Sequence, residues 1–176
     1  MFRKIFLFLS VLATQVVFAQ QADRLVVITL DGFRWQELFN GADSALLADA
    51  KFTPDKEEYI RKFWDKSPEI RRQKLMPFFW NTLAAQGQVY GNRRYGNLVD
   101  NANPHWFSYP GYNEIFTGYP DSLVNSNDKV WNPHRNVLEF VQQQPEYRGR
   151  VAAFTSWDVF PFILHEERSG VYEQWF

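Results

Sequence analysis

The chain has no cysteine. That excludes disulfides, so an exported domain of this sequence holds its core by burial alone. It also excludes a lipoprotein, which needs a cysteine at its cleavage site. An excess of one charge is missing too: 19 Lys and Arg face 20 Asp and Glu, for a net charge of −1. Nucleic-acid polymers therefore lack an electrostatic footprint here. Long apolar runs are scarce. Beyond the first residues no stretch reaches the roughly 20 apolar residues of a spanning helix, so no stable membrane span is expected. Internal repeats, low-complexity linkers and a His-x-x-x-His pair are also absent.

What is present begins with an address. Arg3 and Lys4 precede an apolar run from Ile5 to Phe18, and Val17-Phe18-Ala19 before Gln20 fits a small-residue cleavage site. Residues 1–19 read as a secretory signal peptide, too short for an anchor. Residues 20–176 are then an exported domain, periplasmic or secreted. They carry most of seven Trp, eight Tyr and seventeen Phe. Core packing accounts for most of these rings, because a solvent-facing display invites aggregation.

Strands and helices alternate along the chain. Arg24 to Leu30 reads RLVVITL, the pattern of a strand buried on both faces of a parallel sheet. Thr53-Pro54 and Ser67-Pro68 each place a capping hydroxyl before an N1 proline. Tyr59, Ile60, Phe63 and Trp64 recur at helical spacing, as do Met76, Phe79, Trp80 and Leu83 before a stop at Gly87. Gln88 to Arg94 reads as a short strand. Asn132-Pro133 opens a helix with Val137, Leu138 and Val141 on one face, ended by Pro145. Val151 to Phe154 is a second buried strand. The pattern predicts an α/β fold, a layered and mostly parallel sheet flanked by helices. Ligands in such sheets bind beyond the carboxyl ends of strands, where Asp31 lies.

Ser108 heads the run Ser108-Tyr109-Pro110-Gly111-Tyr112-Asn113-Glu114-Ile115-Phe116-Thr117-Gly118. Pro110 suits a first helical turn and Gly118 a C-terminal stop. A hydroxyl at a helix start lies where backbone N–H groups attract phosphate. Each residue also has a plainer reading. Asp31 before Gly32 is a turn residue, Ser108 a helix cap, and Asn127 one of several turn formers. Glu114 reads as a solvated or paired carboxylate. His105, His134 and His165 lie outside the site.

In this order, Leu30-Asp31-Gly32-Phe33-Arg34, Ser108-Tyr109-Pro110 and Thr117-Gly118-Tyr119-Pro120-Asp121 resemble the alkaline phosphatase superfamily. The nearest branches are those similar to nucleotide pyrophosphatase/phosphodiesterases and phosphoglycerate mutase. The resemblance takes in the Met76–Gly87 helix and the 132–154 helix-strand unit. It implies a hydrolase of phosphate mono- or diesters with two divalent ions, zinc by analogy. Ser108 would be the nucleophile and a metal ligand, forming a phosphoserine. Asp31 would be a metal ligand, and Asn127 would donate to a phosphate oxygen, with Asn125 its competitor. A sulfatase is disfavoured because Tyr112, not Arg, follows Pro110-Gly111.

The resemblance also implies further Asp and His ligands that the stretch after Phe154 does not supply. Asp158, His165, Glu166 and Glu167 match none of the patterns. Residues 20–176 are therefore expected to be the N-terminal part of a catalytic domain, with little or no hydrolase activity in isolation. The alternative is a non-catalytic exported module whose aromatic side chains stack on glycans or another surface ligand.

Overall fold

A computed structural model describes residue 22 and residues 24–176. The expected signal peptide lies outside the described residues. The chain divides into two compact units, Met1–Leu30 and Asp31–Phe176. In the first, the expected strand Arg24–Leu30 does not form. Leu25, Val26, Val27, Ile28 and Leu30 are all exposed, Leu25 by 85%. A β-rich pattern states a side-chain preference, whereas a strand exists through its ladder. Among the described residues the only ladder pairs two other segments with each other.

The second unit opens with helices α1 (Trp35–Asn40), α2 (Ser44–Ala48), α3 (Lys56–Phe63) and α4 (Pro68–Leu75). A π-helical turn at Phe79–Leu83 runs into α5 (Ala84–Gln86), before Gly87. Ser67 caps α4 as the sequence predicts, accepting from the Ile70 N–H at 3.3 Å, with Pro68 at N1. Thr53 does not cap α3. Asp55 holds that position, and buried Thr53 donates its hydroxyl to Leu46 O at 2.8 Å. The Gln88–Arg94 strand is also absent; a 3₁₀ turn spans Arg93–Tyr95. Asn92 favours that turn by accepting from the Arg94 N–H.

Helix α6 (Ser108–Thr117) runs as expected, closed by left-handed Gly118. Helix α7 (Val137–Gln143) starts later than Asn132-Pro133 predicts, because Asn136 is its cap and bonds the Glu139 N–H at 2.9 Å. Asn132 serves the interior instead, donating to Asn113 Oδ1 at 3.0 Å. Strand β1 (Ala152–Thr155) leads through α8 (Phe160–Leu164) and α9 (Glu166–Ser169) to β2 (Tyr172–Trp175). The strands pair in parallel, Ala152 opposite Tyr172 and Thr155 opposite Trp175. The chain is thus α/β, with a two-stranded parallel sheet. Burial of β1 on both faces is not observed: Phe154 is 69% exposed. The core lies beside the sheet, where Tyr109 and Tyr112 of α6 meet Val159, Phe160, Ile163 and Leu164. No described helix is long and apolar enough to cross a membrane.

One carboxyl ties this sheet to pH. Burial pushes Glu173 up to about 7, and Glu166 adds to the rise against a hydrogen bond from Thr155. The neutral acid is the form the fold favours. Its contribution is full below the ordinary value near 4.5 and fades as pH rises through about 7. Glu173→Gln should therefore gain about 1 kcal/mol over the wild type at pH 8, partial exposure having reduced the effect, and nothing at pH 4. Urea midpoints at both pH values check this; an equal difference at each would contradict it.

Candidate functional site

The start of α6 is set by sequence. Phe107 is extended, with φ −121° and ψ 148°, and caps the helix with no side-chain bond. Ser108 is the first helical residue. It is not the cap, so the plainer reading of its hydroxyl does not hold. Its Oγ makes no hydrogen bond among the described residues. Pro110 brings no N–H, and the Tyr109 N–H donates to Asn127 Oδ1 at 3.0 Å. That bond fixes which end of the Asn127 amide is oxygen, and leaves both Nδ2 hydrogens without a partner among the described residues. Asn127 thus takes one donor from the helix start and returns two of its own.

Asp31, Ser108, Asn127 and Ser156 line one cavity of about 320 Å³. Tyr112, Trp157 and Phe160 supply its aromatic wall. Tyr112 and Phe160 meet edge to face at 4.7 Å, and Trp157 meets Phe160 at 6.2 Å. Asp31 occupies the turn before α1. Asn125 is not part of the cavity and donates locally to Ser122 O at 3.4 Å. Sequence reasoning missed Ser156 and Trp157. The signal was available, because both follow the carboxyl end of β1, where parallel strands present ligand sites.

The other candidates are placed elsewhere. Glu114 accepts from Ala102 N at 2.6 Å, Asn103 N at 3.0 Å and Asn103 Nδ2 at 2.8 Å. Burial raises its pKa, but these bonds outweigh it and hold the carboxyl below its usual range. It clamps the loop before α6. His105 bonds Asn103 Oδ1 only through its backbone N–H, at 3.0 Å. His165 lies flat on Trp131, ring centroids 4.9 Å apart. Asp158 pairs with Lys129. Tyr109 stays neutral, since burial pushes its phenol far above the ordinary value.

The donor set falls short of a zinc site. Zinc takes four ligands, or three and a water. Asp31 supplies one carboxylate and Ser108 one hydroxyl, of suitable oxygen type but too few in number. No group of three His, Asp or Glu side chains able to hold a metal occurs among the described residues. The cavity also has no lysine, arginine or histidine in its lining. Its own means of holding an anion are the α6 start and the Asn127 amide. Compared with known protein families, curated proteins and solved structures, the chain matches none.

Proposed function

We propose that this chain carries the nucleophile-bearing face of an exported hydrolase of phosphate mono- or diesters. The observation that supports the reading is the shared cavity, which gathers Ser108, Asn127 and Asp31 from separate parts of the second unit. The positive end of α6 and the two free Asn127 hydrogens favour the non-bridging oxygens of a phosphoryl group. Ser108 Oγ, without a hydrogen-bond partner among the described residues, is the attacking atom. Its bond to phosphorus forms as the bond to the leaving oxygen breaks, and its proton passes to the released alcohol. Water then cleaves the phosphoserine and restores the hydroxyl.

In this reading the fold is the first part of a layered, alkaline-phosphatase-like domain. Asp31 and Ser108 would be the donors offered to a divalent ion, fewer than zinc requires. A cation held there would offset the Asp31 charge, which by itself repels a phosphate dianion. The test is a calorimetric titration of the purified chain with inorganic phosphate, with and without Zn²⁺ in the buffer. Asn127→Ala should weaken phosphate binding about tenfold, the worth of one hydrogen bond to a charged group. Equal affinity for the wild type and Asn127→Ala would sink the assignment of the phosphoryl site.

A further inference from the structure

We propose that His134 is a positioning residue that holds Asn127 on the start of α6. The inference rests on the phosphoryl-site reading for its purpose, but its geometry stands apart from it. Asn127 is exposed and belongs to the connection between Gly118 and Asn136. Its only hydrogen bond among the described residues comes from the Tyr109 N–H. Ordering a connection of that length costs chain entropy, which each tie along it offsets.

His134 ties them. Its Nδ1 lies 2.6 Å from the Tyr119 hydroxyl, just beyond α6, and its Nε2 meets Asp121 Oδ2. The Tyr119 and His134 rings also meet edge to face at 5.1 Å. The three side chains close the neck of the loop. The His134 and Asp121 side chains are only 22% and 17% exposed, so water competes weakly for the contact. Further in, Val124 is buried and the Asn132 N–H donates to Phe162 O at 3.0 Å. Asn127 sits between Val124 and Val130, whose carbonyl accepts from the Tyr109 hydroxyl at 2.8 Å.

The clasp holds in both charge states of the imidazole. When neutral, Nε2–H donates to the carboxylate and Nδ1 accepts from Tyr119. When protonated, Nδ1–H donates to the Tyr119 oxygen instead. The charged groups around it are Asp121, neighbouring Arg135, and Arg168 of α9, which donates to His134 O at 2.6 Å and pairs with Glu139 of α7. The Leu123 N–H and His134 hold the Asp121 carboxyl below its usual range.

Hydrogen exchange on the full chain tests this, read at the Tyr109 amide, whose one protecting bond is the one to Asn127. His134→Ala should speed exchange at Tyr109 about tenfold and leave the Ile115 and Phe116 amides of α6 unchanged. His134→Gln should restore part of the protection, and Tyr119→Phe should give a smaller rise of about threefold. Unchanged exchange at Tyr109, or a uniform rise along α6, would overturn the proposal. Titration with inorganic phosphate forms the second arm. There, His134→Ala should weaken phosphate as Asn127→Ala does, and the double variant no further. If the wild type binds no phosphate while Tyr109 exchange still responds to His134, the phosphoryl reading fails and the clasp stands.

Discussion

Arg168→Met should cost about 3–5 kcal/mol of folding stability, the penalty for leaving a buried charge without its partner. The charge is Glu139, whose side chain is fully buried on α7. Arg168 Nε lies 3.2 and 3.1 Å from its two oxygens, and Nη2 lies 3.0 Å from one of them. Arg135 is no substitute, being 3.6 Å away and 74% exposed. Arg168 also donates to the carbonyls of Asn132 at 3.1 Å and His134 at 2.6 Å. Methionine keeps the stem's packing and removes only the guanidinium. The double variant Glu139→Leu/Arg168→Met should recover most of the loss, because an apolar pair of similar volume is often neutral or better. What stays lost is about 1 kcal/mol for each carbonyl left without a donor. Urea unfolding of both variants checks the expectation. A loss below about 1 kcal/mol in the single variant would mean that water reaches Glu139.

That pair marks where sequence reading runs out. The start of α6 is legible because local chemistry decides it: Pro110 and Gly118 are conformational signals that need no distant partner. Ser67-Pro68 is legible for the same reason. Glu139 is not. It lies between Leu138 and Val141 and reads as the polar side of an amphipathic helix. Its burial depends on an arginine on another helix, and periodicity carries no such term. Thr53 is misread for a related reason, since its hydroxyl has a tertiary acceptor in Leu46 O that outcompetes the local cap. Arg24–Leu30 shows the limit from the other side. Its side chains suit a strand, but pairing is a property of two segments, and the only ladder among the described residues joins β1 to β2. The site divides along the same line. The residue types of Asp31, Ser108 and Asn127 are visible in the sequence. The bond from Tyr109 to Asn127, which orients the amide, is visible only in space.

Gly41→Ala should cost about 3 kcal/mol or more, and the reason lies in how α1 ends. Its last carbonyls have no partners within the helix. Trp80 Nε1 donates to Leu38 O at 3.0 Å, Arg72 Nη1 to Phe39 O at 3.5 Å and Arg71 Nε to Asn40 O at 3.0 Å. The Gly41 N–H itself closes on Glu37 O at 2.9 Å. Reaching these carbonyls brings α4 against the turn at Gly41. A Cβ built there would meet Arg71 C, Arg71 Cβ and Arg72 N at 2.4 Å each. The backbone, at φ 73° and ψ −158°, also lies in a region open essentially to glycine alone. Alanine adds that strain to a clash with main-chain atoms, which cannot rotate away as a side-chain tip can. Gly96→Ala is the control. Gly96 has φ +70° with open space around it, so only the left-handed conformation is penalised, at about 1–2 kcal/mol. Thermal and urea unfolding of the two variants should separate them by about 1–2 kcal/mol or more. Equal losses would show that α4 moves aside without cost, and that the two carbonyls capped by Arg71 and Arg72 do not hold it against α1.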